Sequence, residues 1–335
     1  MDLKRLKKIL KDEPGFRFKQ IRRAVFRNFI SDWDDATNIS KELKEELKEK
    51  CSLEIDGEIF ASKDGRTYKA LINLSDGEKI EAVLIRNKDG RSSLCVSSQV
   101  GCAGACAFCA TGKMGFRRNL KSDEMIDQFL FFARYLKNSF GKEEKITNVI
   151  FMGMGEPFLN YGEVMKAVHI LNDENFIGLG ARNISISTAG IIPGIEKLAE
   201  EKEQVNLAIS LHAPDDELRS ELMPVNRRYG IEKLLKAADK YIARKNRKVM
   251  FEYLLIDGVN DSQDDAIELS KIMKKPLYMV NLIPYNPTGN FRPSSREKVM
   301  KFRKILERAG VDATIRKSYG ADIHAACGQL AGKNK

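Results

Sequence analysis

The stretch Leu94-Cys-Val-Ser-Ser-Gln-Val-Gly-Cys102-Ala-Gly-Ala-Cys106-Ala-Phe-Cys109 runs a short apolar segment directly into three closely spaced cysteines. Leu94–Ser98 has the length and composition of a buried strand. Thiolates this close can wrap one metal centre from a single loop, with Gly104 and the alanines letting the backbone turn tightly. A [4Fe–4S] cluster usually takes four Cys ligands, so three local thiolates leave one iron open. An open metal position is where a substrate or cofactor binds. Zinc is the competing metal. It usually takes paired CxxC motifs or His, and neither a second pair nor a nearby His accompanies this loop.

Five more apolar runs of strand length follow, at Asn148–Gly153, Asn183–Ser187, Asn206–Ser210, Val249–Ile256 and Met279–Ile283. Amphipathic stretches separate them, Ser122–Leu136, Tyr161–Leu171 and Ile231–Ala243 among them. This alternation predicts a parallel α/β architecture, a barrel or a doubly wound sheet, and six units favour a partial (β/α)6 barrel. Upstream the pattern changes. Leu3, Leu6 and Leu10, then Phe18, Ile21, Val25, Phe26 and Phe29, recur at helical spacing, interleaved with Lys19, Arg22, Arg23 and Arg27. Ser40 is positioned to cap a third helix. Residues 1–50 therefore read as a small basic helical accessory domain. Residues 51–90 read as a β linker, with runs Tyr68–Leu74 and Ile80–Ile85 around the turn Ser75-Asp76-Gly77-Glu78. The barrel is expected over 91–330, followed by a Lys-rich tail expected to fray.

Lys and Arg total 57 against 47 Asp and Glu, a net charge of +10. Such a balance suggests a polyanionic partner, with nucleic acid the first candidate, although a basic protein without one carries the same charge. The N-terminus, Met-Asp-Leu-Lys-Arg-Leu-Lys-Lys, has no apolar signal core, and no run approaches the ~18 apolar residues of a membrane span. A cytoplasmic location and no membrane partner are expected. In a reducing compartment, six cysteines suit metal or redox chemistry better than a disulfide framework.

Parallel α/β folds build their sites at the carboxyl ends of strands. Gly153-Met-Gly155-Glu156-Pro157 follows the second strand, Ser185-Ile-Ser187-Thr188 the third, Ser210-Leu211-His212 the fourth and Tyr285-Asn286-Pro287 the sixth. Four polar segments in register with the cysteine loop predict a ring around a cofactor. His212 alone also reads as a satisfied loop histidine. The CxxxCxxC spacing, with an aromatic before the last Cys, resembles the signature of the radical S-adenosylmethionine (SAM) superfamily. That resemblance implies a [4Fe–4S] cluster on Cys102, Cys106 and Cys109 and SAM on the open iron. It implies Phe108 against the adenine of SAM, Gly155 and Glu156 at its amine, and Ser187, Ser210, Leu211, His212 and Asn286 as further contacts.

Cys95 and Cys327 lie outside the loop, and either alone would read as an inert buried thiol. Their surroundings add to that reading. Leu94–Cys102, Gly115-Phe-Arg-Arg-Asn-Leu120, Gly153–Pro157 and Ala326-Cys-Gly-Gln-Leu330 together closely resemble the radical-SAM adenine methyltransferases of the RlmN type, with the Cfr type a near relative. The resemblance covers essentially the whole chain. It implies methylation of adenine C2 in 23S rRNA and tRNA with two SAM per turnover, and an electron donor such as flavodoxin or ferredoxin. One SAM would methylate Cys327. The other would yield the radical that activates this methyl group for addition to the base. Cys95 would then release the product by forming a transient disulfide with Cys327, and Glu81, after a one-residue shift, would accept the C2 proton. Cfr-type C8 methylation is the nearest alternative. A radical enzyme acting on protein or metabolite, and a zinc-binding RNA module, are more distant ones. The family usually has Asp at the position of His324. Lys113, Arg117, Arg118 and Arg316-Lys317 are expected to neutralise phosphate, the N-terminal helices to grip RNA, and Cys51 to be structural.

Overall fold

Three short helices begin the chain: α1 (Leu3–Ile9), α2 (Gly15–Phe26) and α3 (Lys41–Lys50). The computed structural model describes residues 3–289 and 291–332, so the Lys-rich tail lies outside the described residues. Ser40 Oγ accepts the Leu43 amide at 3.3 Å, which is the expected cap of α3. Trp33, between α2 and α3, is buried and donates its indole N–H to the Cys51 carbonyl at 2.8 Å. Cys51 is accordingly a buried packing residue.

The three strands β1 (Gly57–Ala61), β2 (Thr67–Asn73) and β3 (Lys79–Arg86) form an antiparallel meander. β2 and β3 turn at Ser75-Asp76-Gly77-Glu78, as expected, with the Leu74 amide on the Glu78 carbonyl at 2.8 Å. β4 (Ser92–Cys95) pairs antiparallel with β3 on one side, so the segment read as a linker is continuous with the main sheet.

β5 (Gln99–Gly101) and β6 (Phe116–Asn119) form a separate antiparallel ribbon, with the short α4 (Ala110–Lys113) between them. After α5 (Ser122–Phe140) the alternation is regular: β7 (Asn148–Phe151), α6 (Tyr161–Asn172), β8 (Ile184–Thr188), α7 (Ile192–Glu200) and β9 (Asn206–Ser210). It continues with α8 (Asp216–Leu222), α9 (Ile231–Lys245), β10 (Val249–Leu255), α10 (Gln263–Ile272), β11 (Tyr278–Pro284), α11 (Arg296–Arg308) and β12 (Ala313–Ile315). β4 and β7 to β12 are parallel, and the ten-stranded sheet runs β1-β2-β3-β4-β7-β8-β9-β10-β11-β12. All six expected strands are present. β12 is a seventh parallel strand that the sequence reading lacked.

The strands are near-continuous apolar runs because helices cover them; β10 is buried throughout except at Met250. α5 buries Met125, Ile126, Phe129, Leu130, Ala133 and Leu136, the one-sided stripe of an amphipathic helix. The N-terminal helices share this core: Leu6, Ile21, Phe26 and Leu47 belong to the same continuous apolar cluster as the barrel strands. No described helix is long and apolar enough to cross a membrane.

Among the described residues, β1 and β12 are the two edges of the open sheet. Residues 320–332 bridge part of this gap. Asp322 accepts from Ser62 Oγ at 2.7 Å and from the Lys63 amide at 2.9 Å. Further on, Glu81 of β3 accepts from the amides of Ala331 at 2.7 Å and Gly332 at 3.2 Å. This strap carries Cys327 at its middle.

Candidate functional site

The β5–β6 ribbon holds the cysteine loop like the arms of a hairpin. The Cys102 amide donates to the Gly115 carbonyl at 3.0 Å, and Gly101 sits at φ +72° where a Cβ would fall 1.8 Å from that oxygen. Glycine is therefore required there. Inside the loop, a Cβ on Gly104 would stand 3.4 Å from Cys102 Sγ and 3.8 Å from Cys106 Sγ. The backbone thus bends around a space shared by the sulfurs.

Cys102, Cys106 and Cys109 all face one cavity of about 560 Å³ at the carboxyl ends of the parallel strands. Burial pushes the Cys102 thiol up to about 11 and the Cys106 thiol higher still, and neighbouring sulfurs add to both shifts. Crowded thiols of this kind become thiolates when a metal supplies compensating positive charge. Three thiols on one loop, bent around the Gly104 cradle and facing one cavity, fit the local donor set of a [4Fe–4S] group with one iron left open.

Most of the expected SAM contacts line the same cavity: Phe108, Gly155, Glu156, Ser187, Ser210, His212 and Asn286. Phe108 and His212 meet edge to face, with ring centroids 4.8 Å apart. His212 Nδ1 accepts the Leu254 amide at 3.0 Å. Burial, reinforced by the Arg219 charge, depresses this imidazole to about 3, so it is neutral. Glu156 is buried, and burial raises its carboxyl. It accepts from Thr188 Oγ1 at 2.8 Å and from the amides of Phe158 at 3.0 Å and Ala189 at 2.6 Å. Leu211 is not on the cavity wall; it is fully buried, with its carbonyl on Arg219 Nε at 3.1 Å.

Cys95 and Cys327 also face this cavity. Cys327 is exposed, and its carbonyl accepts from Asn286 Nδ2 at 3.3 Å. Burial pushes the Cys95 thiol up to about 12, and the Arg316 guanidinium acts in the opposite direction. All six cysteines are free thiols. Glu81 is 1% exposed and lies behind the strap, with Oε1 2.8 Å from Lys69 Nζ and Oε2 on the strap amides.

Three basic residues expected at phosphate are otherwise engaged. Arg118 pairs with Asp76 at 2.5 Å and Glu124 at 2.8 Å, and Arg117 with Glu78 at 2.8 Å. The Asp76 and Glu78 pairs tie β6 to the β2–β3 turn, and the Glu124 pair ties it to α5. Arg117 remains 61% exposed, so its pair is weak. Arg316 points into the cavity instead of to the surface. His324 occupies the left-handed region at φ +50°, which few residues other than Gly, Asn, Asp and His adopt.

Two buried residues passed unnoticed in the sequence. Arg219 donates to the carbonyls of Leu211, Ala189, Ser210 and Tyr229 and to Asn226 Oδ1, and so fixes the loops after β8 and β9. Glu252 of β10 is a lone acid within the apolar run Val249–Leu255, and that pattern alone signals a buried partner.

Residues 96–270 match the family model of the radical SAM superfamily, and residues 1–53 match that of the ribosomal RNA large subunit methyltransferase N-terminal domain. A probable dual-specificity RNA methyltransferase RlmN of Dictyoglomus thermophilum is 44% identical over 333 residues, covering 98% of this chain and 94% of the relative. The chain belongs to the RlmN family of the radical SAM superfamily. Another similar protein is the ribosomal RNA large subunit methyltransferase N of Nitrosopumilus maritimus, 45% identical over 94% of this chain and 92% of that relative. The crystal structure of a radical SAM methyltransferase from Sphaerobacter thermophilus superposes with a TM-score of 0.94 at 44% identity, covering 99% of this chain and 98% of that one. For an RlmN-family chain, the cavity and its cysteine loop are in the position where the superfamily implies a [4Fe–4S] cluster and SAM.

Proposed function

We propose that this chain transfers a methyl group from SAM to C2 of an adenine, in 23S rRNA and in tRNA, by way of Cys327. The observation that carries this reading is the pair of extra thiols, Cys95 and Cys327, facing the same cavity as the cysteine loop. A radical enzyme that only removes hydrogen from its substrate has no use for them. The names of the relatives support RNA as the substrate, and their dual specificity supports two RNA classes.

When bound, a cluster on Cys102, Cys106 and Cys109 supplies the electron, drawn from a donor such as flavodoxin or ferredoxin, that turns one SAM into a hydrogen-abstracting radical. The remaining work belongs to the chain. Cys327, as thiolate, takes a methyl group from the other SAM by displacement. Adenine C2 is electron-poor and carries no ionisable proton, so a carbon radical held on Cys327 reaches a position closed to polar methylation. Phe108, Glu156, Ser187, Ser210, His212 and Asn286 hold SAM. The radical's addition to C2 leaves one unpaired electron on the base; as that electron passes to a one-electron acceptor, Glu81 accepts the C2 proton and the aromatic ring is restored. Cys95 then attacks the Cys327 sulfur. An S–S bond replaces the S–C bond, and the freed carbon takes a proton to become the product methyl group. The target base must leave its stack to enter the cavity.

Nucleosides from rRNA and tRNA incubated with enzyme, SAM and reductant should contain 2-methyladenosine by mass spectrometry. 8-Methyladenosine would assign the Cfr-type reaction instead, and an unmodified pool would sink both. Cys95→Ala should stop at the first turnover and leave protein joined to RNA through residue 327, seen as a shifted band on a denaturing gel. Free RNA released at the wild-type rate would remove Cys95 from the mechanism.

A further inference from the structure

Lys69 is a buried cation that takes no part in the steps above. Its Nζ stands 2.8 Å from Glu81 Oε1, and the two side chains are 3% and 1% exposed. Strand register explains why they meet. Lys69 of β2 is paired with Val83 of β3, and Val83 with Cys95 of β4. Directly paired residues share a face, so Lys69, Val83 and Cys95 form a row across three strands. Glu81, two residues before Val83, is the diagonal neighbour of Lys69 on that face, and lies within about 10 Å of Cys95. The main chain of Glu81 is fixed to the segment after Cys95. Ser97 Oγ donates to the Glu81 carbonyl at 2.5 Å, the Glu81 amide donates to Met154 Sδ at 3.3 Å, and the Met154 amide donates to Ser97 Oγ at 2.8 Å. Glu81 Oε2 holds the strap amides of Ala331 and Gly332. Gly332, at φ +62°, comes in so closely that a Cβ there would stand 3.1 Å from the Lys79 carbonyl oxygen and 3.4 Å from Met114 Cε. The strap's bonds nearer Cys327 run elsewhere: the Gly328 and Leu330 carbonyls are held by the Ala110 amide and Thr111 Oγ1 of α4. Among the described residues, Glu81 is the strap's hydrogen-bonded tie to β2, β3 and β4.

We infer that Lys69 is a positioning residue for the Cys95–Cys327 pair: its ammonium is the counter-charge of the Glu81 carboxylate, which hooks the strap end onto the strands that carry Cys95. This rests on the reading of those two cysteines as partners given above. A carboxylate grips amides about twice as strongly as a neutral acceptor does. Deprived of its counter-charge, a buried carboxylate takes up a proton or turns towards water. Either response weakens the hold on Ala331 and Gly332. Cys327 lies four residues before Ala331, so slack at the hook passes to the sulfur that Cys95 must attack.

The test is formation of the Cys95–Cys327 disulfide in reconstituted holoenzyme, unmethylated at Cys327 and held without oxygen in a glutathione buffer. Oxidised glutathione is reduced to two thiols as the two cysteines join. The ratio of linked to free peptides, read by mass spectrometry, gives the effective concentration of one thiol at the other. Lys69→Met should lower that ratio about tenfold and speed hydrogen exchange at the Ala331 and Gly332 amides. Lys69→Arg keeps the charge and should recover most of both. Gly332→Val places a branched side chain at positive φ against the Lys79 carbonyl. It lifts the strap from its own side with the ion pair intact, and should lower the ratio in the same way. A wild-type ratio in Lys69→Met with unchanged iron content would overturn the inference, as would equal loss in the Met and Arg variants. If Lys69→Met fails to fold, Gly332→Val decides, an unchanged ratio counting against the inference. Failure of the underlying reading looks different: no Cys95–Cys327 disulfide would form even in the wild type, while exchange at Ala331 and Gly332 still followed the charge at position 69.

Discussion

Cys327→Ala is expected to lose RNA methylation by at least about ten-thousand-fold, the scale on which removal of a covalent nucleophile is felt. Cys95 also faces the cavity, but burial pushes its thiol up to about 12, so it is a poor substitute as methyl acceptor. The substitution should leave the fold intact. The strap is fastened through backbone atoms and other side chains: the Cys327 carbonyl on Asn286 at 3.3 Å, the Gly328 carbonyl on the Ala110 amide at 2.7 Å, and the Leu330 carbonyl on Thr111 Oγ1 at 2.6 Å. An exposed thiol contributes little to stability. Transfer of labelled methyl from SAM to RNA measures the loss, and release of 5′-deoxyadenosine shows whether SAM cleavage survives. Cleavage should persist without methyl transfer. A Cys327→Ala protein that still methylates RNA would end the proposed mechanism.

Arg219→Ala should be the most destabilising single change near the site, by about 3–5 kcal/mol. Arg219 is 0% exposed, and its guanidinium satisfies four carbonyls and one amide oxygen. Burial pulls it down to about 10, which leaves it charged at neutral pH. Truncation would strand these buried acceptors, and each lost partner carries a desolvation penalty. Of the acceptors, Ala189 and Leu211 lie on the loops after β8 and β9 and Ser210 ends β9, so SAM affinity should fall together with the melting temperature. Arg219→Lys keeps the charge and loses the planar fork, and should fall between the two. Denaturant midpoints and SAM binding by calorimetry check the prediction. An unchanged midpoint for the alanine variant would show that the loops find other partners.

The barrel was readable because its strands are apolar runs separated by amphipathic helices, and because Cys102, Cys106 and Cys109 sit on consecutive turns of one loop. Both signals are local. β12 escaped because it is three residues long and only partly buried, leaving no periodic pattern to find. β1 escaped for a similar reason: its five residues, Gly57–Ala61, are half-exposed. Charged residues were the main source of error. A guanidinium at residue 118 or 316 looks the same in sequence whether it faces phosphate, a carboxylate or a thiol. The answer depends on partners such as Asp76, Glu124 and Glu252 that are remote along the chain. Glu252 could have been flagged from its neighbours alone, since a carboxylate amid Val249–Leu255 has no water to face.

The strap across the open side of the sheet also fixes an order of assembly. The cysteine loop closes over a few residues, between β5 and β6, and loops of that length close quickly. The Cys327 strap depends on bonds to Ser62, Lys63 and Glu81, separated by 250 to 260 residues along the chain. Contacts of such separation form late, because the intervening chain must fold first. A nascent molecule therefore has the three thiols of the loop gathered before Cys327 arrives. On the function proposed above, the loop would be ready for its cluster before Cys95 and Cys327 are brought to the same cavity.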